Sequence, residues 1–255
     1  MIISVENNDL SKIYEFCKNS LLGTKIACQL KVYGVERDFL SAWYYSTNKE
    51  ISAVITKFED SITLICENSE ILGEIRIFID MLGFLSICCD EVTAEVLDYE
   101  IKDTKNAYTF CGVSNNEDVN DLSEEYYRSA YELICKNIPD SFENSNYAYL
   151  SFLSDFTFRK TRSRARIKGT VIEGRVASCA LTSAETENSA IISGVACDGA
   201  LRMKGLGKKT VLSLVNELIS EGKCVYVIAL NKSAEGFYEH IGFKNTERIS
   251  FIERK

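Results

Sequence analysis

One stretch of this chain restricts its fold more than any other: an apolar strand, a glycine-rich turn and an amphipathic helix follow one another over residues 190–221. Ala190-Ile191-Ile192 and Gly194-Val195-Ala196 read as the strand. Arg202-Met203-Lys204-Gly205-Leu206-Gly207-Lys208-Lys209 is the turn. The helix, over 210–221, buries Val211, Leu214, Val215, Leu218 and Ile219, with Gly222 at its C-cap. The unbroken apolar run 224–230 then reads as a central strand. A glycine-rich turn that opens a helix directly after a strand is an anion-binding arrangement. Successive backbone N–H groups converge on the anion and the helix N-terminus adds partial positive charge. Lys204, Lys208 and Lys209 add full charges beside it.

Spacing excludes two familiar phosphate loops. A P-loop needs Gly at 202 and Ser or Thr at 209, and these positions are Arg and Lys. A dinucleotide fingerprint needs a third glycine at 210, which is Thr. What remains is Arg202-x-x-Gly205-x-Gly207 at a helix start. Further on stands Asn231-Lys232-Ser233-Ala234-Glu235-Gly236-Phe237-Tyr238-Glu239-His240-Ile241-Gly242-Phe243. Together, and in strand-helix-strand-helix order, these two motifs resemble those of the GCN5-related N-acetyltransferases, the GNAT family. Gly199 stands where many members have Pro, and Met203 where many have a second Gly. Met203 keeps its backbone N–H, so an anion nest remains open to it.

The resemblance implies an α+β fold, a mixed and mainly antiparallel sheet flanked by helices, of the acyl-CoA N-acyltransferase type. It implies transfer of an acetyl group from acetyl-CoA to a primary amine of a small molecule or peptide, by direct attack in a ternary complex. Backbone N–H groups from Met203, Lys204, Gly205, Leu206, Gly207 and Lys208 would hold the pyrophosphate. Val195, Ala196 and Cys197 would pair with the pantetheine arm, with an N–H near Val195–Ala196 facing the thioester oxygen. Tyr238 would protonate the leaving thiolate. Each residue also has a plainer role open to it. Tyr238 fits a core position, Asn231 a helix cap as well as a cofactor contact, and Arg202 a turn brace as well as a phosphate ligand. Cys197 fits a small strand residue or a nucleophile, and His240 a structural position. Glu173, Glu185 and Glu187 are carboxylates available as a base, but no motif marks one, and water serves equally. The alternative function is a non-catalytic acyl-CoA sensor or scaffold.

Composition narrows the rest. A formal charge of −8 argues against nucleic-acid and membrane-surface partners. Ten cysteines without Cys-x-x-Cys spacing and one histidine leave no zinc pattern, so no metal is expected. The start of the chain does not read as a secretory signal, and no apolar run approaches a membrane span, so reduced thiols in the cytoplasm are expected. Monomer and homodimer both remain open. Against the acidic background stands one basic run over 159–168, with Arg159, Lys160, Arg162, Arg164, Arg166 and Lys168. It suits an acidic substrate or the coenzyme's phosphates, RNA being disfavoured by the acidic balance, and a solvated face is the plainer reading.

The polar, turn-rich segment 112–121 divides the chain into domains 1–111 and 122–255. In the second, helices are expected at 123–137 and 147–158, then strands at 165–172, 175–181 and 190–197. After the second motif come short strands at 244–248 and 249–254. The first domain has strand patterns at 2–5, 39–46, 51–58, 62–66 and 84–88, and helical ones at 10–20, 71–82 and 92–97, with final strands at 99–102 and 107–111. From the strand triplet onward, this order matches the second domain. The loop before its 71–82 helix has no glycine and two acids, Glu67 and Glu70. The first domain therefore reads as a degenerate copy without a cofactor loop.

Overall fold

The computed structural model describes residues 1–47, 50–113, 118–139 and 142–254, so part of the expected linker 112–121 lies outside the described residues. Contacts gather the chain into two compact units. The first comprises Met1–Tyr108, Ile228–Glu235 and Asn245–Lys255, and the second Thr109–Val227 and Gly236–Lys244.

The first unit runs β1 (Ile2–Ser4), α1 (Leu10–Phe16), α2 (Leu21–Tyr33), β2 (Leu40–Thr47), β3 (Glu50–Phe58), β4 (Ser61–Cys66), α3 (Leu72–Leu82), β5 (Ser86–Asp90), α4 (Glu91–Leu97) and β6 (Ile101–Phe110). Strands β1 to β4 pair antiparallel in sequence order. β5 joins β4 in parallel through Ser61↔Ser86, Ile62↔Ile87 and Thr63↔Cys88. Alternation along β3 serves two cores, as expected of a strand covered on both faces. Ala53 and Ile55 meet Ile75 and Ile79 of α3 and Leu97 of α4. Val54 meets Ile13 of α1 and Ile26 and Leu30 of α2.

Helix α2 has no counterpart among the sequence expectations, and its burial explains why. Leu21, Leu22, Gly23, Thr24, Ile26, Ala27, Cys28, Leu30 and Val32 are all buried, so apolar residues surround the axis and no single face stands out. Ser20 caps it, its side chain accepting from the Gly23 N–H at 2.9 Å. Gly23 is required there because a Cβ would lie 2.0 Å from the Cys17 carbonyl oxygen.

The second unit contains α5 (Tyr127–Asn137), α6 (Asn146–Lys160), β7 (Ile167–Ile172), β8 (Arg175–Glu185), β9 (Ser189–Cys197) and α7 (Leu206–Ser220). β10 (Cys224–Ile228) follows, and α8 (Lys232–His240) carries the second motif. β7, β8 and β9 form an antiparallel meander, and β10 pairs β9 in parallel. The helix pair α5–α6 packs on this sheet through Leu133, Ile134 and Phe156 against Ile167, Cys179 and Leu181. Both units thus use one plan: a helix pair, three antiparallel strands, a helix and a parallel strand.

Two expected pairs of short strands are single long ones. β6 covers both segments expected at 99–102 and 107–111, and the last strand, β11, runs unbroken over Phe243–Glu253. Their middles are polar, and side-chain partners satisfy them. Thr104 and Ser250 hydroxyls share a hydrogen bond of 2.9 Å, Lys105 pairs with Asp103, and Arg248 pairs with Glu91 at 2.5 Å. β11 lies beside β5 in the first unit, from Ile249↔Asp90 to Glu253↔Ser86. Among the described residues, no helix is long and apolar enough to cross a membrane.

Candidate functional site

β9 carries a break in register that shapes its C-terminal end. Ala196 pairs with Cys179 and Ser193 with Leu181, so β9 has one residue more than β8 across this interval. Gly194 sits in this bulge with φ +56°, and a Cβ there would lie 2.9 Å from Leu181 Cδ2 and 3.0 Å from Ile134 Cδ1. The parallel ladder to β10 ends at Ile192↔Val227. Val195, Ala196 and Cys197 therefore continue β9 beyond its ladder with β10. Ala196 is buried, and Val195 and Cys197 are half-buried.

The chain then turns through Gly199–Leu201, where Asp198 accepts from the Ala200 N–H at 2.8 Å. Arg202 is extended, Met203 has φ +62° and Gly205 has φ +80°. Left-handed residues interspersed in a turn aim neighbouring N–H groups to one side. Gly205 is the N-cap of α7 and, having no side chain, makes no cap hydrogen bond of its own. Nothing lies within 4 Å of where a Gly205 Cβ would sit. The helix begins at Leu206, earlier than its expected start at 210, so Leu206, Gly207 and Lys208 are its first turn. The Gly207 N–H points to the Cys197 sulfur. Burial pushes the Cys197 thiol up, and this outweighs the Arg202 charge and the Gly207 N–H that favour thiolate. Met203 and Lys204 are exposed. Arg202 Nη2 donates to Asn137 Oδ1 at 2.6 Å.

The same position in the first unit is built differently. After β4, Asn68 accepts from the Glu70 N–H at 3.0 Å, and a short 3-10 turn over Ser69–Ile71 leads into α3. The chain's own amide occupies a donor that an anion would need.

Asn231, grouped with the first unit, caps α8: its Oδ1 accepts from the Ala234 N–H at 3.0 Å. Tyr238, grouped with the second, is buried, with ring centroids 5.3 Å from Phe237 and 5.5 Å from Phe243. Burial raises the pKa of its phenol well above the ordinary value. His240 is exposed at the end of α8.

The basic run 159–168 is neither a uniformly solvated face nor an open patch, because its cations have partners inside the second unit. Arg159 is buried against Asp155 at 2.8 Å and the carbonyls of Thr182 and Ser183 at 3.1 and 3.3 Å. Lys160 meets the Tyr127 hydroxyl, Arg162 lies 3.5 Å from the Phe158 ring centroid, and Arg164 pairs with Glu187. Arg166 bridges Glu185, Glu217 and Glu221, while Lys168 reaches Asp121 and Glu217. Lys223 completes the network, 3.0 Å from Glu185 and 2.8 Å from Glu221. Glu185 is fully buried there and also accepts from Thr182 at 2.7 Å, which removes it as a candidate base. Glu173 sits exposed in the β7–β8 turn. Hydrogen bonds from Arg166 hold the Glu221 carboxyl down to about 2. Burial alone would raise Glu217, yet Lys168 and Arg166 hold it below its usual value. The i,i+4 pair of Glu217 and Glu221, the C-cap of α7, was the available signal for this network, once the alternation of Arg164, Arg166 and Lys168 is set against it.

Residues 172–252 match the family model described as FR47-like protein. No curated protein matches the chain in sequence. Solved structures do match in fold. An acetyltransferase of the GNAT family from Colwellia psychrerythraea has a TM-score of 0.64 at 14% identity, over 100% of both chains. A tandem GNAT protein from the clavulanic acid biosynthesis pathway has 0.64 at 12% identity, over 98% of this chain and 97% of its own. A GCN5-related N-acetyltransferase from Sphaerobacter thermophilus has 0.62 at 12%, over 100% of this chain and 95% of its own. The chain therefore has the tandem fold of the GNAT acetyltransferases, with an FR47-like domain over residues 172–252.

Proposed function

We propose that the protein is an N-acetyltransferase that moves an acetyl group from acetyl-CoA to a primary amine of a small molecule or peptide, in the cytoplasm. The observation that carries this reading is the glycine start of α7, where the N-cap residue has no side chain. Two left-handed residues, Met203 and the open-sided Gly205, follow the point where β9 leaves its ladder with β10. These residues fit a pyrophosphate, since the turn presents backbone and has room where a side chain would intrude.

In this reading the N–H groups from Met203 to Lys208 hold the pyrophosphate, with Arg202, Lys204 and Lys208 adding charge. Backbone groups of Val195, Ala196 and Cys197 take the pantetheine arm along β9, and an N–H near Val195–Ala196 stabilises the developing oxyanion. Asn231 has its Oδ1 engaged in the α8 cap. Acetyl-CoA supplies an activated acyl group. The amine's C–N bond forms as the C–S bond breaks, and Tyr238 gives its proton to the sulfur. A phenol raised by burial is fully protonated at neutral pH, but it releases its proton only as thiolate charge develops, so C–S cleavage and proton transfer occur together. The raised Cys197 thiol favours direct attack over an acyl-cysteine. The amine loses its proton to water or to a base that no residue here is assigned to supply.

Calorimetric titration with acetyl-CoA tests the reading, with Gly205→Glu and Gly205→Ala alongside. Both variants strain the left-handed position, but only Glu places a carboxylate in the nest. Micromolar binding by the parent, kept by Ala and lost by Glu, is expected. A parent that does not bind acetyl-CoA refutes the proposal.

A further inference from the structure

We propose that Asn137, at the C-terminal end of α5, is a positioning residue that holds the Arg202 guanidinium ready for a phosphate anion at the start of α7. The inference rests on the acetyl-CoA reading above. The Asn137 amide has a defined orientation: its Nδ2 donates to the Leu133 carbonyl at 2.8 Å, so its Oδ1 is the atom that faces Arg202. That second contact, at 2.6 Å, joins residues 65 positions apart in sequence. It engages one of the five guanidinium N–H groups, leaving others for a bidentate phosphate contact. The carbonyl end of α5 adds partial negative charge beside the cation. Arg202 stands four residues before Leu206, the first residue of α7, so the Asn137 contact anchors the same turn that opens the helix. An exposed arginine without such an anchor would lose rotamer freedom on each binding event. Asn137 settles that cost during folding.

The test is a double-mutant cycle read by calorimetry with coenzyme A, on the parent, Asn137→Ala, Arg202→Ala and the double variant. Asn137→Ala should weaken binding about tenfold, the loss expected for one charge-assisted hydrogen bond. In the Arg202→Ala background the same substitution should change almost nothing, while ligand-free melting temperatures stay close to the parent's. An undiminished effect in the Arg202→Ala background would show that Asn137 acts by another route and overturn the inference. So would full affinity in Asn137→Ala, and in both of those cases the parent's binding leaves the acetyl-CoA reading intact. No coenzyme A binding by the parent overturns both.

Discussion

At the scale of single residues, Met203 and Tyr238 show how a motif position can be readable while its physical state is not. Met203 adopts φ +62°, a region costing an L-residue roughly 1 kcal/mol or more, where glycine pays no steric penalty. The turn's two left-handed positions are Met203 and Gly205, so the missing glycine is met by strain with the backbone N–H retained. Tyr238 was visible as part of Phe237-Tyr238, with a core position open to it, but its ring contacts with Phe237 and Phe243 were not. Tyr238→Phe keeps that packing and removes only the hydroxyl. It should leave acetyl-CoA affinity unchanged and lower turnover about 10²- to 10⁴-fold, as expected for loss of a general acid. Turnover equal to the parent's in single-turnover assays would reassign the proton donor to water.

At the scale of elements, local pattern revealed α7 and α8 and concealed α2. Helix α7 sets polar residues that are exposed or half-buried, Lys208, Lys209, Asn216 and Glu217, beside its buried apolar ones, so periodicity marks it. Helix α2 is buried nearly all round and periodicity has nothing to report. The charges of the second unit needed three dimensions for a similar reason. Arg166 on the approach to β7, Glu185 ending β8, and Glu217, Glu221 and Lys223 between the end of α7 and β10 come from three separate stretches of sequence and meet as one network. Glu185 is its buried centre. Glu185→Ala would leave Arg166 and Lys223 without their buried counter-ion and should cost about 3–5 kcal/mol. Denaturant unfolding checks this, and a loss under 1 kcal/mol would mean that Glu217 and Glu221 suffice.

At the scale of the whole molecule, the same network predicts how stability follows pH. Glu217 and Glu221 titrate lower in the folded state than in the unfolded chain. Their contribution is therefore complete above about pH 5 and is lost as pH falls towards about 2. Amide exchange should show the second unit's strands β7 to β9 losing protection across that window, and Glu221→Gln should flatten the loss. Protection independent of pH in the parent would sink this assignment. The single tryptophan, Trp43, lies in the first unit, so fluorescence alone would not report the event.

What the sequence determined by itself was local. A strand, a glycine-rich turn and a helix are set by neighbours within a few residues, through backbone freedom, apolar period and capping, so 190–221 and 231–243 could be read directly. The order of elements also revealed the repeated plan, and the acids at Glu67 and Glu70 its altered turn. Only the tertiary structure decided which distant groups meet. It set β11 beside β5, extended β6 and β11 through polar centres, tied Arg202 to Asn137, and turned a basic run into internal ion pairs. The physical reason is common to all four. A strand edge or a charge is satisfied by whatever partner folding brings within reach, and sequence separation does not encode that partner.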